Sequence, residues 1–285
     1  MCRGSKNMSN LILLGTGCPS PSSLRYGPST LLIHNEKNYL FDCGSGVTQR
    51  LSEAGIKSSE IDVVFITHLH SDHIMDLYQL YISGWHQGRN TKFRVIGPKG
   101  IKSFFKNILK AFEQELKGRV QWEKRPNIEG LNFDITEIDS SFLFSTDGLV
   151  VKPFEVDHYP VVPAYGYQIK HLDDSVEKIL VVSGDTRKSE SLIQNAMEAN
   201  VLLHEVFVDL QFDQNRMSKE TIKNVSDYHT SPKEIGEIAK TANVKKLVLT
   251  HFVPPVFDKA KLLKDISQSY EGEIIIGEDL MSIKI

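Results

Sequence analysis

The sequence predicts an α/β protein in which strands are sandwiched between helices. Short apolar, β-branched runs alternate with segments whose apolar residues recur at helical spacing, most regularly from Leu192 to the end. No shift in composition marks a linker, so residues 9–285 read as one domain after a disordered leader at 1–8, with Met8 an alternative start. Several of the strand runs also end on a histidine or aspartate, as expected where a sheet presents a site at its strand ends.

In order, Leu11 to Leu14 reads as a strand stopped by Gly15-Thr16-Gly17, a tight turn without dinucleotide or Walker spacing. After a Ser/Pro/Gly-rich loop, strands at Thr30 to Ile33 and Tyr39 to Asp42 flank a hairpin turn, Asn35-Glu36-Lys37-Asn38. Val47, Leu51 and Ala54 suggest a short helix. Val63 to Ile66 is a buried strand, followed by helical spacing at Ile74, Leu77, Leu80 and Tyr81. Phe93 to Ile96 is a strand, and the apolar residues from Ile101 to Leu116 form one amphipathic helix. Strand character fills Phe133 to Val156, with Asp147-Gly148 as a hairpin turn. It returns at Ala164 to Ile169 and Ile179 to Val182, which Asp173-Asp174 join. Helices at Leu192 to Ala199, Pro232 to Ala242 and Ala260 to Ser267 then alternate with strands at Val201 to His204, Leu247 to Thr250 and Glu273 to Ile276.

Bulk properties narrow the function classes. A net charge of -3 gives no global basic footprint for nucleic acid. Three scattered cysteines fit a reducing compartment and argue against a disulfide framework. With no signal-peptide core and no apolar run of membrane length, cytoplasmic residence is the default.

The densest chemistry lies at His68-Leu69-His70-Ser71-Asp72-His73, directly after the Val63 strand. Neutral imidazoles and carboxylates are ligands for zinc-like cations, and such crowding is costly unless something binds it. Other strands deliver Asp157-His158, Asp185, His204-Glu205 and His251. His68, His70, His158 and Asp185 could hold one cation; Asp72, His73, His251 and a bridging Asp185 could hold a second. A carboxylate suits the bridge because each of its two oxygens can reach a metal. With N and O donors and no thiolate, zinc leads, with manganese and iron as alternatives. His34 and His171 read as solvated surface residues, His204 as a satisfied histidine near the core, and His229 by itself as a turn residue. His86 is open between substrate contact and packing.

These residues resemble the metallo-β-lactamase superfamily, whose pattern is His-x-His-x-Asp-His followed by later His, Asp and His ligands. The resemblance runs from Leu14-Gly15-Thr16-Gly17 to Thr250-His251 and implies an αββα sandwich of two mixed sheets flanked by helices, with a dinuclear metal site. Within the superfamily the chain is most similar to the ribonuclease Z branch, through Ser183-Gly184-Asp185-Thr186-Arg187, His204-Glu205 and His229-Thr230-Ser231. That likeness implies a Glu205–His229 dyad that protonates the leaving oxygen, although the Ala-Thr after the branch's His-Glu is absent and its Ser-Thr order is swapped. It also implies a homodimer.

The branch's long basic arm would fall at His171-Leu172-Asp173-Asp174-Ser175, which is short and acidic, and its Pro-x-Lys-x-Arg-Asn loop is missing. Arg25-Tyr26-Gly27-Pro28, Ser83-Gly84-Trp85 and the run Pro160 to Tyr167 look instead like arylsulfatase-like relatives. The expectation is a metal-dependent hydrolase of a small phosphodiester or aryl sulfate, with Asp72 orienting the attacking water or taking its proton. A tRNA 3′-processing ribonuclease Z is the alternative, and a non-catalytic metal-binding sensor or scaffold the reading from another class. Arg25, Tyr26 and Trp85 are expected at the mouth of the site.

Overall fold

The computed structural model describes residues 9–146, 148–173, 176–208 and 217–285. The expected leader at 1–8, Asp147 of the hairpin turn and Asp174 of the acidic turn lie outside the described residues. Two mixed sheets pack face to face, as the sandwich expectation requires. The first has the order β14 (Met281–Lys284), β1 (Asn10–Gly15), β2 (Ser29–His34), β3 (Lys37–Phe41), β4 (Ile61–Phe65), β5 (Phe93–Gly97) and β6 (Phe133–Glu137). The second has β13 (Glu273–Ile276), β12 (Lys246–Val253), β11 (Val201–Phe207), β10 (Val176–Val182), β9 (Tyr165–Asp173), β8 (Leu149–Glu155) and β7 (Phe144–Thr146).

Strand alternation builds three apolar layers. In and just after β4, Val63 and Phe65 point between the sheets, toward Leu180, Leu203 and Val248. Val64 and Ile66 point outward, under α3 (Leu77–His86) and α4 (Ile101–Ala111). In β12, Val248 faces inward, while Leu247 and Leu249 meet α8 (Pro232–Thr241) and α9 (Lys259–Ile266). Both faces are covered, which is why these strands read as continuous apolar runs. Helix α8 starts on a capping box, in which Ser231 accepts from the Glu234 amide and Glu234 from the Ser231 amide, with Pro232 in the first turn.

Several expectations need correction. The single helix read from Ile101 to Leu116 is two, α4 and α5 (Glu113–Glu123), broken at Phe112, whose ring stacks on Tyr78 at 3.9 Å between centroids. The helix after the His68 cluster is likewise split, into α2 (Ser71–Ile74) and α3, because the Asp76 carboxylate accepts from the Gly46 amide and anchors the start of α3 to the neighbouring loop. The β2–β3 turn needs only Asn35 and Glu36, both left-handed (φ 49° and 62°), as two-residue hairpin turns require. Among the described residues, β14, only four residues long, and α7 (Lys219–Ser226), which has just Ile222 and Val225 to bury, escaped the sequence reading. The remaining helices, α1 (Val47–Glu53) and α6 (Glu190–Asn195), lie within a few residues of their expected positions.

His34 and His171 are not solvated. Each lies 1% exposed between the sheets, its Nδ1 2.8 Å from the Ser9 hydroxyl. Their strands run further than read, and the alternation that turns Leu32 and Ile169 inward carries these histidines inward too. Among the described residues, no helix is long and apolar enough to cross a membrane.

Candidate metal centre

The site forms where strand ends of both sheets meet. His68, His70, Asp72 and His73 follow β4 in the first sheet; His158 follows β8 and Asp185 follows β10 in the second. His251 and Glu205 lie inside strands that run past the site, not at strand ends as expected. A β-bulge between His204 and Val206 re-aims Glu205, and His251 takes a left-handed φ of 44°, a strained conformation for a residue with a side chain.

His68, His70, His158 and Asp185 present ligand atoms within 4.8 Å of one another, and Asp72, His73 and His251 form a second such group. His70 Nδ1 lies 3.0 Å from His68 Nε2 and 3.2 Å from His158 Nε2. Two nitrogens on one tetrahedral zinc, each about 2.0–2.1 Å from it, would stand about 3.3 Å apart, so the spacing fits a shared cation. One oxygen, Asp185 Oδ2, lies 3.4 Å from His73 Nε2 and from His251 Nε2, 3.8 Å from His68 Nε2 and 4.0 Å from His158 Nε2. Asp185 Oδ2 thus stands between the two ligand groups, where the bridging carboxylate was expected.

The far sides of the rings are tied down. His73 Nδ1 is 2.8 Å from Asp42 Oδ2, His68 Nδ1 is 3.0 Å from the Thr67 hydroxyl, and His158 Nδ1 donates to the Tyr228 carbonyl at 2.9 Å. Asp42 also accepts from the Thr67 amide and hydroxyl. Such outer partners fix the tautomer that leaves the inner nitrogen free to bind a metal. Sequence reading missed Asp42, Thr67 and Tyr228. The available signal was Asp42 itself, a carboxylate at the end of an apolar strand.

Electrostatics agree with a cation site. Burial, then the neighbouring His73 imidazole, pushes His68 well below the ordinary histidine range, so it stays neutral. Burial also opposes charge on His73, but Asp185, Asp72 and Asp42 outweigh it and hold the ring well above that range. Buried Asp185 is kept ionised by His251, His73 and His68 around it. Buried N and O donors converge on one point that favours positive charge, and the set includes no thiolate. The residues present thus fit two divalent cations.

Glu205 and His229 sit beside this cluster. His229 Nδ1 is 3.0 Å from Glu205 Oε1, which also accepts from the Thr230 amide at 3.1 Å. The His229 ring lies 5.8 Å from that of His251. His204 is fully buried as expected, with Nδ1 bonded to the Glu205 carbonyl, yet its Nε2 has no hydrogen-bond partner among the described residues.

One expected mouth residue has another duty. Trp85, on α3, is fully buried and donates to the Asn127 carbonyl. Arg25 lines the cavity next to Asp72, where it lies over the Phe252 ring and donates to the Gly277 carbonyl and Thr16 hydroxyl. Tyr26 lines the same cavity. His86 is exposed at the end of α3, beside Trp85 and Arg119, and lines none of the cavities at the metal-ligand cluster. The turn at Gly15-Thr16-Gly17 is closed to phosphate, because its Thr16 amide and hydroxyl both donate to Asp279.

The two-sheet sandwich and this buried His/Asp cluster at its edge define a metallo-β-lactamase-fold, metal-dependent hydrolase. The chain belongs to the family described as anti-Pycsar protein Apyc1, whose model matches residues 9–254. It is 32% identical to a ribonuclease Z of Mycobacterium sp. (strain KMS), over 98% of this chain and 96% of that one. Among solved structures, the metallo-β-lactamase fold protein YhfI of Bacillus subtilis superimposes with a TM-score of 0.74 at 19% identity, covering 98% and 100% of the two chains. The short form of human tRNase Z gives 0.69 at 23% identity, covering 96% and 98%. The expected fold and the expected kinship with ribonuclease Z are both borne out.

Proposed function

We propose that this chain is a dinuclear metal-dependent phosphodiesterase acting on small substrates, a class that includes the cyclic nucleotides. The observation that carries the reading is the Glu205–His229 pair, hydrogen-bonded beside two ligand groups that share Asp185 Oδ2. A bound pair of divalent cations, zinc by the donor set, supplies Lewis acidity toward the ester and a nucleophile from water near neutral pH. His68, His70, His158 and Asp185 would hold one cation and Asp72, His73, His251 and Asp185 the other.

The chain's own residues do the rest. Asp72 lines two of the cavities at the cluster, so its carboxylate can orient the attacking water or accept its proton. Glu205 orients His229 through Nδ1, leaving Nε2 to protonate the departing oxygen. A pure metal-binding scaffold would have no use for this buried pair.

Small esters are favoured over RNA because, among the described residues, neither cavity is lined by lysine, and Arg25 is engaged with the Gly277 carbonyl and Thr16 hydroxyl. An RNA substrate would need cations for its phosphates. Aryl sulfate is the weaker reading, since Trp85, one of the residues that suggested it, is held inside the fold. The test is turnover by the zinc-loaded chain of bis-(p-nitrophenyl) phosphate, 3′,5′-cyclic nucleotides, p-nitrophenyl sulfate and precursor tRNA under one set of conditions. Preferential, salt-sensitive cleavage of tRNA would refute the proposal. The implied homodimer is checked by sedimentation of the same preparation.

A further inference from the structure

We infer that an internal water is part of the site, seated behind the metal-ligand cluster and bridging His251 Nδ1 to Glu205 Oε2. The inference rests on the dinuclear reading above and adds how a ligand of the second cation is held and joined to the dyad. His68, His73 and His158 each have a protein partner on the ring nitrogen that faces away from the cluster. His251 differs. Its Nε2 lies 3.2 Å from Asp72 Oδ2 and 3.4 Å from Asp185 Oδ2, so Nδ1 looks the other way. That nitrogen is buried and has no hydrogen-bond partner among the described residues. To offer Nε2 to a cation, the ring carries its proton on Nδ1, which makes Nδ1 a buried donor.

A matching acceptor stands on the neighbouring strand. Leu249 pairs with His204 and Phe252 with Val206, so the bulge sets Glu205 alone against Thr250 and His251. Glu205 Oε1 takes N–H groups from Thr186, His229 and Thr230, whereas Oε2 is buried with no hydrogen-bond partner among the described residues. Leaving such a donor and acceptor unpaired is costly. Glu205 and His251 both line an internal cavity of about 30 Å³, walled by Phe41, Val182 and Leu203 of the layer between the sheets. One water needs about 10–15 Å³ of such space and two to four polar partners, and this cavity supplies both. The His251 Nδ1–H donates to the water, and the water donates one proton to Glu205 Oε2. Its second proton goes to the hydroxyl of Ser29 or Ser183, which line the cavity and spend their own protons on the Gly27 and Gly184 carbonyls. Glu205 thereby positions two histidines, the proton donor through one oxygen and a metal ligand through the other.

The first test is a crystal structure of the zinc-loaded chain at a resolution that shows ordered water. A water within about 2.7–3.2 Å of both His251 Nδ1 and Glu205 Oε2 is expected. A dry cavity, or a direct hydrogen bond between the two side chains, would overturn the inference. The second test is zinc affinity by competition with a chromophoric chelator. Val182→Ile adds a methylene to the cavity wall and should displace the water, weakening one of the two zinc ions about 10–100-fold and leaving the other within about twofold. Val182→Ala enlarges the cavity and keeps the water, so it should lower the melting temperature while both affinities stay within about twofold. Wild-type affinities in Val182→Ile, or equal losses in the two variants, would show that the water does not hold His251. A wild-type chain that binds fewer than two zinc ions would instead overturn the dinuclear reading beneath it.

Discussion

Replacing Asp42 with Asn should weaken one of the two proposed metal sites and leave the fold in place. The Asp42 backbone is left-handed (φ 60°), a conformation Asn adopts as readily, and the side chains match in volume. What changes is hydrogen-bond polarity. The carboxylate accepts from the Thr67 amide, the Thr67 hydroxyl and His73 Nδ1. A carboxamide keeps one accepting oxygen; if that stays on the Thr67 amide, its NH2 opposes the His73 N–H. The imidazole must then move its proton to Nε2, the atom aimed at Asp185, or leave a buried donor unpaired. The first outcome predicts a 10–100-fold loss of metal affinity, about 1.4–2.8 kcal/mol. The second costs about 1–3 kcal/mol, a similar magnitude by an independent route. Thr67→Val is the companion variant, because the Thr67 hydroxyl has one proton, gives it to Asp42, and so accepts from His68 Nδ1. It should weaken the group containing His68 and largely spare the other. Competition against a chromophoric chelator, with zinc counted per chain, reads both effects. Asp42→Asn protein that binds two zinc ions with wild-type affinity would refute the idea that Asp42 orients His73.

Glu205→Gln and His229→Ala should each lower turnover by about 10²–10⁴-fold at unchanged metal content, with a smaller effect for a p-nitrophenolate leaving group, which needs no proton. Steady-state kinetics beside metal analysis decides this, and loss of zinc from either variant would make the residue structural. Cys18 lines the cavities, yet burial lifts its thiol to about 11, so alkylation should be slow at pH 8 and accelerate only as the pH approaches that value. Mass spectrometry against pH would show a conventional thiol if this is wrong. Burial lowers the pKa of His204, whose Nε2 has no hydrogen-bond partner among the described residues. Below about pH 6.5 the unfolded chain takes up a proton there that the folded chain refuses, so stability falls by up to about 1.4 kcal/mol per pH unit down to the folded-state pKa. Melting of metal-free protein between pH 7 and 5 should therefore flatten in His204→Asn, and parallel curves would exclude a contribution from His204.

Strand periodicity and ligand chemistry are local properties, and the sequence by itself determined what depends on them. Val63 to Ile66 had to be a strand buried on both faces, and the residues at His68, His70, Asp72 and His73 could scarcely be anything but a ligand cluster. Other strand ends extended this to His158, Asp185 and His251, and family likeness to Glu205 and His229. Tertiary structure decided whatever depends on which faces meet. His34 and His171 became buried because two strands ran longer than read and alternation turned both rings between the sheets. Trp85 and Arg25 went into the fold because Asn127, Gly277 and Phe252, all distant in sequence, supplied their partners. Asp42 gained its importance only when the β3–β4 pairing put it beside Thr67 and His73. Single side chains announce which atoms can bind a metal, whereas tautomers, orientation and the polarity of a cavity arise from contacts between segments far apart in the chain.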